Sequence, residues 1–401
     1  MKKCLAVLLS LLLFSCEQDE KFLVDSNCIV QDSHFVDIAY AEAIASIGDG
    51  FYLPKSEELI SKSTDDHEVE SVISLDDIFG TPALYIINLR GGGFRIISAD
   101  NRLEPILAHS DTGRMTEESI NKNGGLQMWI NGIISSVTEM RQTAEQQTED
   151  VRVLWESLNP VNVQSEWNEL ATSSNMDCSY DGQDIAKVRT YGPYLNTKWH
   201  QGDDYNKFLE NMNCSTTNNG KPYLGCTTLA AGIAMRFMER PTYFDWDSMP
   251  VDRVTDVTAH FLADLADNIG VDYGCNGTSA SIDDVCDALK NDYGFSSAKV
   301  AGFSGFTIIG EIANKRSPVI VRGENSDGGH EWVITGIIST ERYKCVKIPY
   351  MENEYQLINT GPSSVSFFVD WGHGGANNAW YSQSGFLYPN DLKMIINIIR
   401  E

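Results

Sequence analysis

The hydrophobic pattern of this 401-residue chain predicts an α+β fold: a small α+β module followed by a larger domain of two packed layers. Three observations lead there. Residues 83–109 read as short strands around a Gly-rich turn. An apolar stretch with Leu229, Ile233 and Phe237 at intervals of four reads as a buried helix. Beyond residue 317 the apolar residues alternate or run continuously over short segments, the pattern of an antiparallel sheet.

The chain opens on Met1-Lys2-Lys3 and an apolar run from Leu5 to Leu13, too short to span a membrane as a mature helix. Ser15-Cys16 and then acidic and polar residues follow. This resembles a bacterial lipoprotein signal, which implies removal of the leader, lipidation of Cys16 and export. Residues 1–16 are therefore expected to be signal peptide and 17–34 a polar tether. Residues 35–46 predict a short helix, and 56–70 a polar loop. Residues 83–89, 90–93 and 94–100 predict a β-hairpin, and 103–109 a third strand. Residues 125–150 predict a helix, apolar in its first half. These elements make up a module over 35–150. The polar stretch 145–190 reads as irregular, so the linker is set at 151–186 and the second domain at 187–401.

With 56 acidic against 30 basic residues the net charge is −26, which disfavours nucleic acid as a partner. The seven histidines are scattered, and neither CxxC nor HExxH occurs, so no metal site and no cofactor are expected. Setting aside Cys4, Cys16 and Cys226, six cysteines remain (28, 178, 214, 275, 286 and 345). In an exported protein these are free to pair, in combinations that spacing leaves open.

Cys226 follows a loop bearing Pro222 and Gly225 and opens the buried helix that Pro241 ends. Unpaired N–H groups and the macrodipole at such an end favour a thiolate, the form that attacks carbonyl groups. A small buried cysteine is the plain alternative. His330 stands between Gly328-Gly329 and the apolar run from Trp332 to Gly336, where a general base for a thiol is readily delivered. Asp370 ends a further strand and is a candidate to orient the imidazole. His373, in a Gly-rich loop, reads as structural or cleft-lining. Ser281, with Asp283 and Asp284 after it, reads as the cap of a helix to about residue 293.

Trp199-x-Gln201, Tyr205-Asn206, Gly225-Cys226-Thr227-Thr228, Gly328-Gly329-His330-x-Trp332-Val333 and Asp370-Trp371-Gly372-x-Gly374-Gly375 occur in this order. Together they resemble the streptopain-like cysteine peptidases, bacterial members of the papain-like group. The stretch from Gly93 to Arg102 resembles that family's prodomain. The resemblance implies a papain-like catalytic domain of helical half plus antiparallel half, and a module over 35–150 that acts as an inhibitory propeptide. It implies Cys226 as nucleophile, His330 as base, Asp370 as orienting residue and Gln201 in the oxyanion hole. It also implies Trp371 shielding the imidazole, with Gly329, Ser279 and Ser281 along the substrate cleft. Asp370 stands where the family has Asn, His373 where a second Trp is usual, and Thr228 where Ala is usual. The reading is an exported, lipid-anchored cysteine endopeptidase zymogen, released or not after processing, with protein or peptide substrates and its own propeptide as inhibitor. The departures motivate one alternative, a catalytically inactive surface lipoprotein that keeps the fold for binding.

Overall fold

The computed structural model describes residues 34–47, 67–143, 145–158, 178–325, 328–351, 354–386 and 392–399. The expected signal peptide, Cys16, Cys28 and all of the expected tether except residue 34 lie outside them. Residues His34–Glu401 form one compact unit.

Helix α1 (Ile38–Ala45) is capped by the Asp37 carboxylate, which accepts from the Tyr40 N–H at 2.8 Å. Strands β1 (Val69–Asp76), β2 (Pro82–Leu89), β3 (Phe94–Ser98) and β4 (Ile106–Ser110) form an antiparallel meander. The β2–β3 hairpin is the one expected from the alternation. β1 escaped notice because it is an outer strand whose residues are all at least partly exposed, so it lacks an apolar signature. Gly93, at φ +93°, is required in the turn, because a Cβ there would lie 2.4 Å from the Ser110 carbonyl oxygen.

A short helix α2 (Glu117–Asn121) leads into α3 (Gly124–Gln142). Asn123 caps α3 by accepting from the Leu126 N–H at 3.0 Å. Leu126, Trp129, Ile130, Ile133 and Val137 make its buried stripe. The helix stops at Gln142, short of the expected 150, because Thr143 turns to an extended conformation. A separate helix α4 (Glu149–Ser157), capped by Thr148, follows and buries Leu154 and Trp155. The region read as irregular therefore contains α4, and its far end belongs to β5 (Asp184–Tyr191). Tertiary packing of Trp155 and pairing of β5 override a weak local signal.

The second domain supplies α5 (Cys226–Met238), α6 (Asp256–Ile269) and α7 (Ile282–Asn291), then β6 (Lys299–Gly302), a short α8 (Gly305–Ile309), and β7 (Val319–Asn325). After these come β8 (Gly328–Lys347), β9 (Tyr355–Asp370), β10 (Ala379–Ser382) and β11 (Lys393–Ile396). β8 joins two stretches that read as separate strands in the sequence. The sheet runs β1-β2-β3-β4-β10-β9-β8-β7-β11-β6, with β5 beside β8. It thus crosses from the first module into the second at β4–β10, where His109 faces Trp380 and Ala108 faces Tyr381.

The pleat of β8 sorts its side chains. Trp332 and Ile334 enter a core with Leu126, Trp129 and Ile130 of α3. Val333 enters a different core with Leu229 and Ile233 of α5, Phe261 of α6 and Val285 of α7. The fold is thus the expected helical half and antiparallel half, with the first module packed on the sheet face away from α5.

A buried ion network ties the module together. Asp100 accepts from Arg102 at 2.6 and 2.8 Å, Arg141 lies 3.5 Å from Asp100, and Arg141 reaches Asp77 at 2.9 Å. The Asp100 side chain is fully buried and that of Asp77 nearly so. Arg141→Met leaves Asp77 without its cation, and removing one partner of such a pair costs about 3–5 kcal/mol. Urea unfolding should show a loss of that order, and an unchanged midpoint would count against the network.

Candidate active site

The loop before α5 sets the position of Cys226. Gly225, at φ +87°, precedes it, and a Cβ there would meet the Thr278 carbonyl oxygen at 2.9 Å. The Thr278 hydroxyl donates to the Tyr223 carbonyl. A disulfide between Cys214 and Cys275 fastens the same two loops, and a second joins Cys178 to Cys345 of β8. Among the described residues Cys226 and Cys286 are free thiols, Cys226 partly covered and Cys286 buried. No group of three or more His, Cys, Asp or Glu among them is placed to hold a metal ion.

The helix start was expected to lower the thiol's pKa. Burial prevails instead and pushes it up. The Glu331 main chain, the Arg322 charge and the first amides of α5 oppose burial without overcoming it.

His330 begins the apolar part of β8 on the face of Trp332, under the first turn of α3. A Cβ on Gly125 would lie 2.4 Å from His330 Cδ2 and 2.8 Å from Trp371 Cε3, so only glycine lets α3 seat there. The ring is 8% exposed, and its Nε2 has no hydrogen-bond partner among the described residues. Burial drives the imidazole pKa down to about 4, against a smaller opposite pull from the Trp371 main chain. His373 lies between two other histidines, its ring centroid 5.8 Å from that of His330 and 5.9 Å from that of His200.

Asp370 does not reach His330 while the ring lies under α3. It pairs with Val333 across β8–β9, on the opposite face of the sheet. Its Oδ2 accepts from the Thr197 N–H and hydroxyl, both at 2.8 Å, and its Oδ1 from the Gly372 N–H at 3.1 Å. These donors require a group that only accepts, which explains Asp where the family has Asn. Asp370 pins the 197 segment to the sheet.

The Gln201 main-chain carbonyl accepts from the Leu224 N–H at 2.9 Å, alongside the chain that leads to Cys226. Trp371 is fully buried against Trp332 and Tyr381 rather than lining an open cleft. Gly329 is exposed beside the Arg322 guanidinium. Ser279 is exposed and pairs through its backbone with Asp272. The Ser281 hydroxyl is engaged in a capping box with Asp284. Two neighbours of the thiol went unnoticed in the sequence, Glu331 and Arg322. Their signal was a charge inside each of two apolar strand segments.

The family model described as Spi protease inhibitor matches residues 51–136, and that of the Peptidase C10 family matches 241–381. Streptopain of Streptococcus pyogenes is 25% identical over 305 residues, covering 69% of this chain and 73% of its own, and forms from several serotypes match alike. The chain is a streptopain-like cysteine peptidase. The Peptidase C10 match contains His330 and Asp370, while Cys226 and Gln201 precede it. A solved fragment of prointerpain A from Prevotella intermedia shares the fold, with a TM-score of 0.53 and 17% identity over 82% of this chain and 99% of the fragment. The peptidase thus carries an inhibitor-type prodomain, and α3 is the part of it that covers the sheet face bearing His330.

Two outcomes follow from this seat. Gly125→Ala forces α3 off the two rings, and overpacking of this kind costs about 1–3 kcal/mol. The prodomain of that variant should be lost sooner in a time course of the purified chain followed by mass; an unchanged rate would mean that this contact does not hold it. The second outcome concerns pH. An unfolded-state imidazole titrates near its ordinary value, whereas the docked ring stays neutral to about pH 4. Stability is therefore intact above about pH 6.5 and falls by about 1.4 kcal/mol per pH unit as pH drops toward 4. The melting temperature of the Cys226→Ala chain should fall across that window, and less steeply once His330→Gln is added.

Proposed function

We propose that this peptidase is exported, anchored by lipid on Cys16, and cleaves proteins internally once its prodomain is removed. The observation that carries the reading is α3 seated on His330 while Cys226 waits at the start of α5 on the other face of β8. In this reading the departure of α3 frees the Gly328-Gly329-His330 end of β8 to turn and bring the imidazole to the thiol. His330 takes the thiol proton, and Cys226 Sγ attacks the peptide carbonyl carbon. The oxyanion is held by the Gln201 side-chain N–H and the Cys226 backbone N–H. The C–N bond breaks as His330 returns its proton to the leaving amine. Water, activated by His330, then hydrolyses the thioester.

For the expected domains, 35–150 and 187–401, α4 supports carrying the first on to Ser157, and the disulfide of Cys178 with Cys345 supports an earlier start for the second. The processing cut falls, on this reading, after α4 and before Cys178. The binding-protein alternative has no observation in its favour, since Cys226 and His330 are both present.

Expression of the whole chain beside its Cys226→Ala variant, followed by mass and membrane fractionation, tests the reading. Only the unmodified chain should shorten to a form starting near residue 178 and degrade casein. The unprocessed variant should sediment with membranes unless Cys16→Ser is added. Casein cleavage by the Cys226→Ala chain would sink the proposal.

A further inference from the structure

Arg322 of β7 takes no part in the acyl transfer, yet its guanidinium touches both halves of the site. In the β7–β8 ladder Arg322 pairs with Glu331, Gly323 with His330 and Glu324 with Gly329. The Arg322 side chain is 14% exposed, and that of Glu331 is fully buried. Arg322 Nη1 donates to Glu331 Oε1 at 3.2 Å and to the Ala280 carbonyl at 2.9 Å, and Nε donates to Glu324 at 2.7 Å. Gly329 lies against the remaining nitrogen: a Cβ there would be 2.4 Å from Nη2 and 2.8 Å from Cζ. Buried ions persist only when paired, so Arg322 and Glu331 hold each other in place.

Each contact leads to a catalytic group. Gly329 and Glu331 flank His330, the first packed on the guanidinium and the second bonded to it. Ala280 stands two residues beyond Thr278. The Thr278 hydroxyl donates to the Tyr223 carbonyl, and the Thr278 carbonyl oxygen closes on Gly225, the residue before Cys226. The Cys214–Cys275 disulfide fastens the near end of that loop, and Arg322 fastens its far end. A guanidinium presents its donors in one rigid plane, so strand and loop are held at a set spacing. An ammonium is a point charge on a flexible stem and fixes no such plane.

We propose that Arg322 is a positioning residue for the Cys226–His330 pair: it fixes the spacing between the strand that carries the base and the loop that seats the nucleophile. It touches neither reacting atom. Its bond to Glu331 also sets where β8 turns. When α3 leaves, the packed Gly329 is free to slide over the guanidinium while the bonded Glu331 stays. The imidazole then travels on a short arc about a fixed point. Proton transfer from the thiol requires hydrogen-bond reach, and a misplacement of about 1 Å costs on the order of a hundredfold in rate. The proposal rests on the reading of Cys226 and His330 as the catalytic pair.

The test compares the processed enzyme with its Arg322→Lys and Gly329→Ala variants, each cut by added unmodified peptidase and freed of it through an affinity tag. Arg322→Lys keeps a cation for Glu331 but loses the fork, and Gly329→Ala keeps the arginine but displaces it. The folded fraction is read by near-ultraviolet circular dichroism, and kcat and KM on labelled casein are taken per folded molecule. Both variants should lose about tenfold or more in kcat, with a smaller change in KM. A residue that served only the fold would lower the folded fraction and leave kcat per folded molecule as it was. That result overturns the proposal, and so does a loss confined to KM. If Gly329→Ala does not fold, Arg322→Lys alone decides. Failure of the peptidase reading shows separately, in casein cleavage by the Cys226→Ala chain.

Discussion

The two-residue repeat of β8 is the constraint on which the site depends. Neighbouring residues on a strand must face opposite sides. His330 therefore turns to the side of Trp332 and α3, and Glu331 to the side of Val333 and α5. If Cys226 and His330 are the catalytic pair, as proposed, the prodomain needs no contact with the thiol to interrupt the site. Occupying one face of the strand is then enough, because the imidazole is held in an apolar seat. The same pleat brings an acid and, through β7, a guanidinium to the sulfur side.

The rest of the architecture serves to hold the two halves in register. Asp370 gathers three donors from the 197 and 372 segments, so the strand that ends beside His373 also positions the chain leading to Gln201. The Cys214–Cys275 disulfide and the Gly225–Thr278 contact align the loop before α5 with the loop before α7. Around them, apolar cores lie on both sheet faces, and those on α3 and α5 meet β8 from opposite sides.

Much of this was legible from residues alone where pattern and chemistry agreed. The hairpin of β2 and β3, the helix opened by Cys226, and the Ser281 cap each combine a clear period with a suitable boundary residue. β1 and β5 were not legible: β1 pairs with the strand that follows it but is exposed along its length, and β5 pairs with β8, far along the chain. α4 was hidden by its polar face. The orientation of Asp370 was misread because spacing says which residues lie near a strand end, not which face they take. Glu331 and Arg322 were visible as charges in apolar segments, but their meeting depends on the register of β7 with β8.

The seam at β4–β10 has a consequence for how the protein changes state. Only two residue pairs span it, yet behind it α3 buries Leu126, Trp129, Ile130 and Ile133 in a core shared with β8 and β9. Scission of the chain after α4 removes none of these contacts. Cutting and departure are therefore distinct events: the first converts a covalent tether into a non-covalent complex, whose lifetime is then set by concentration and affinity. On the proposed route, a cut molecule would stay shut until its former segment diffuses away, so dilution as well as cutting would set when it opens.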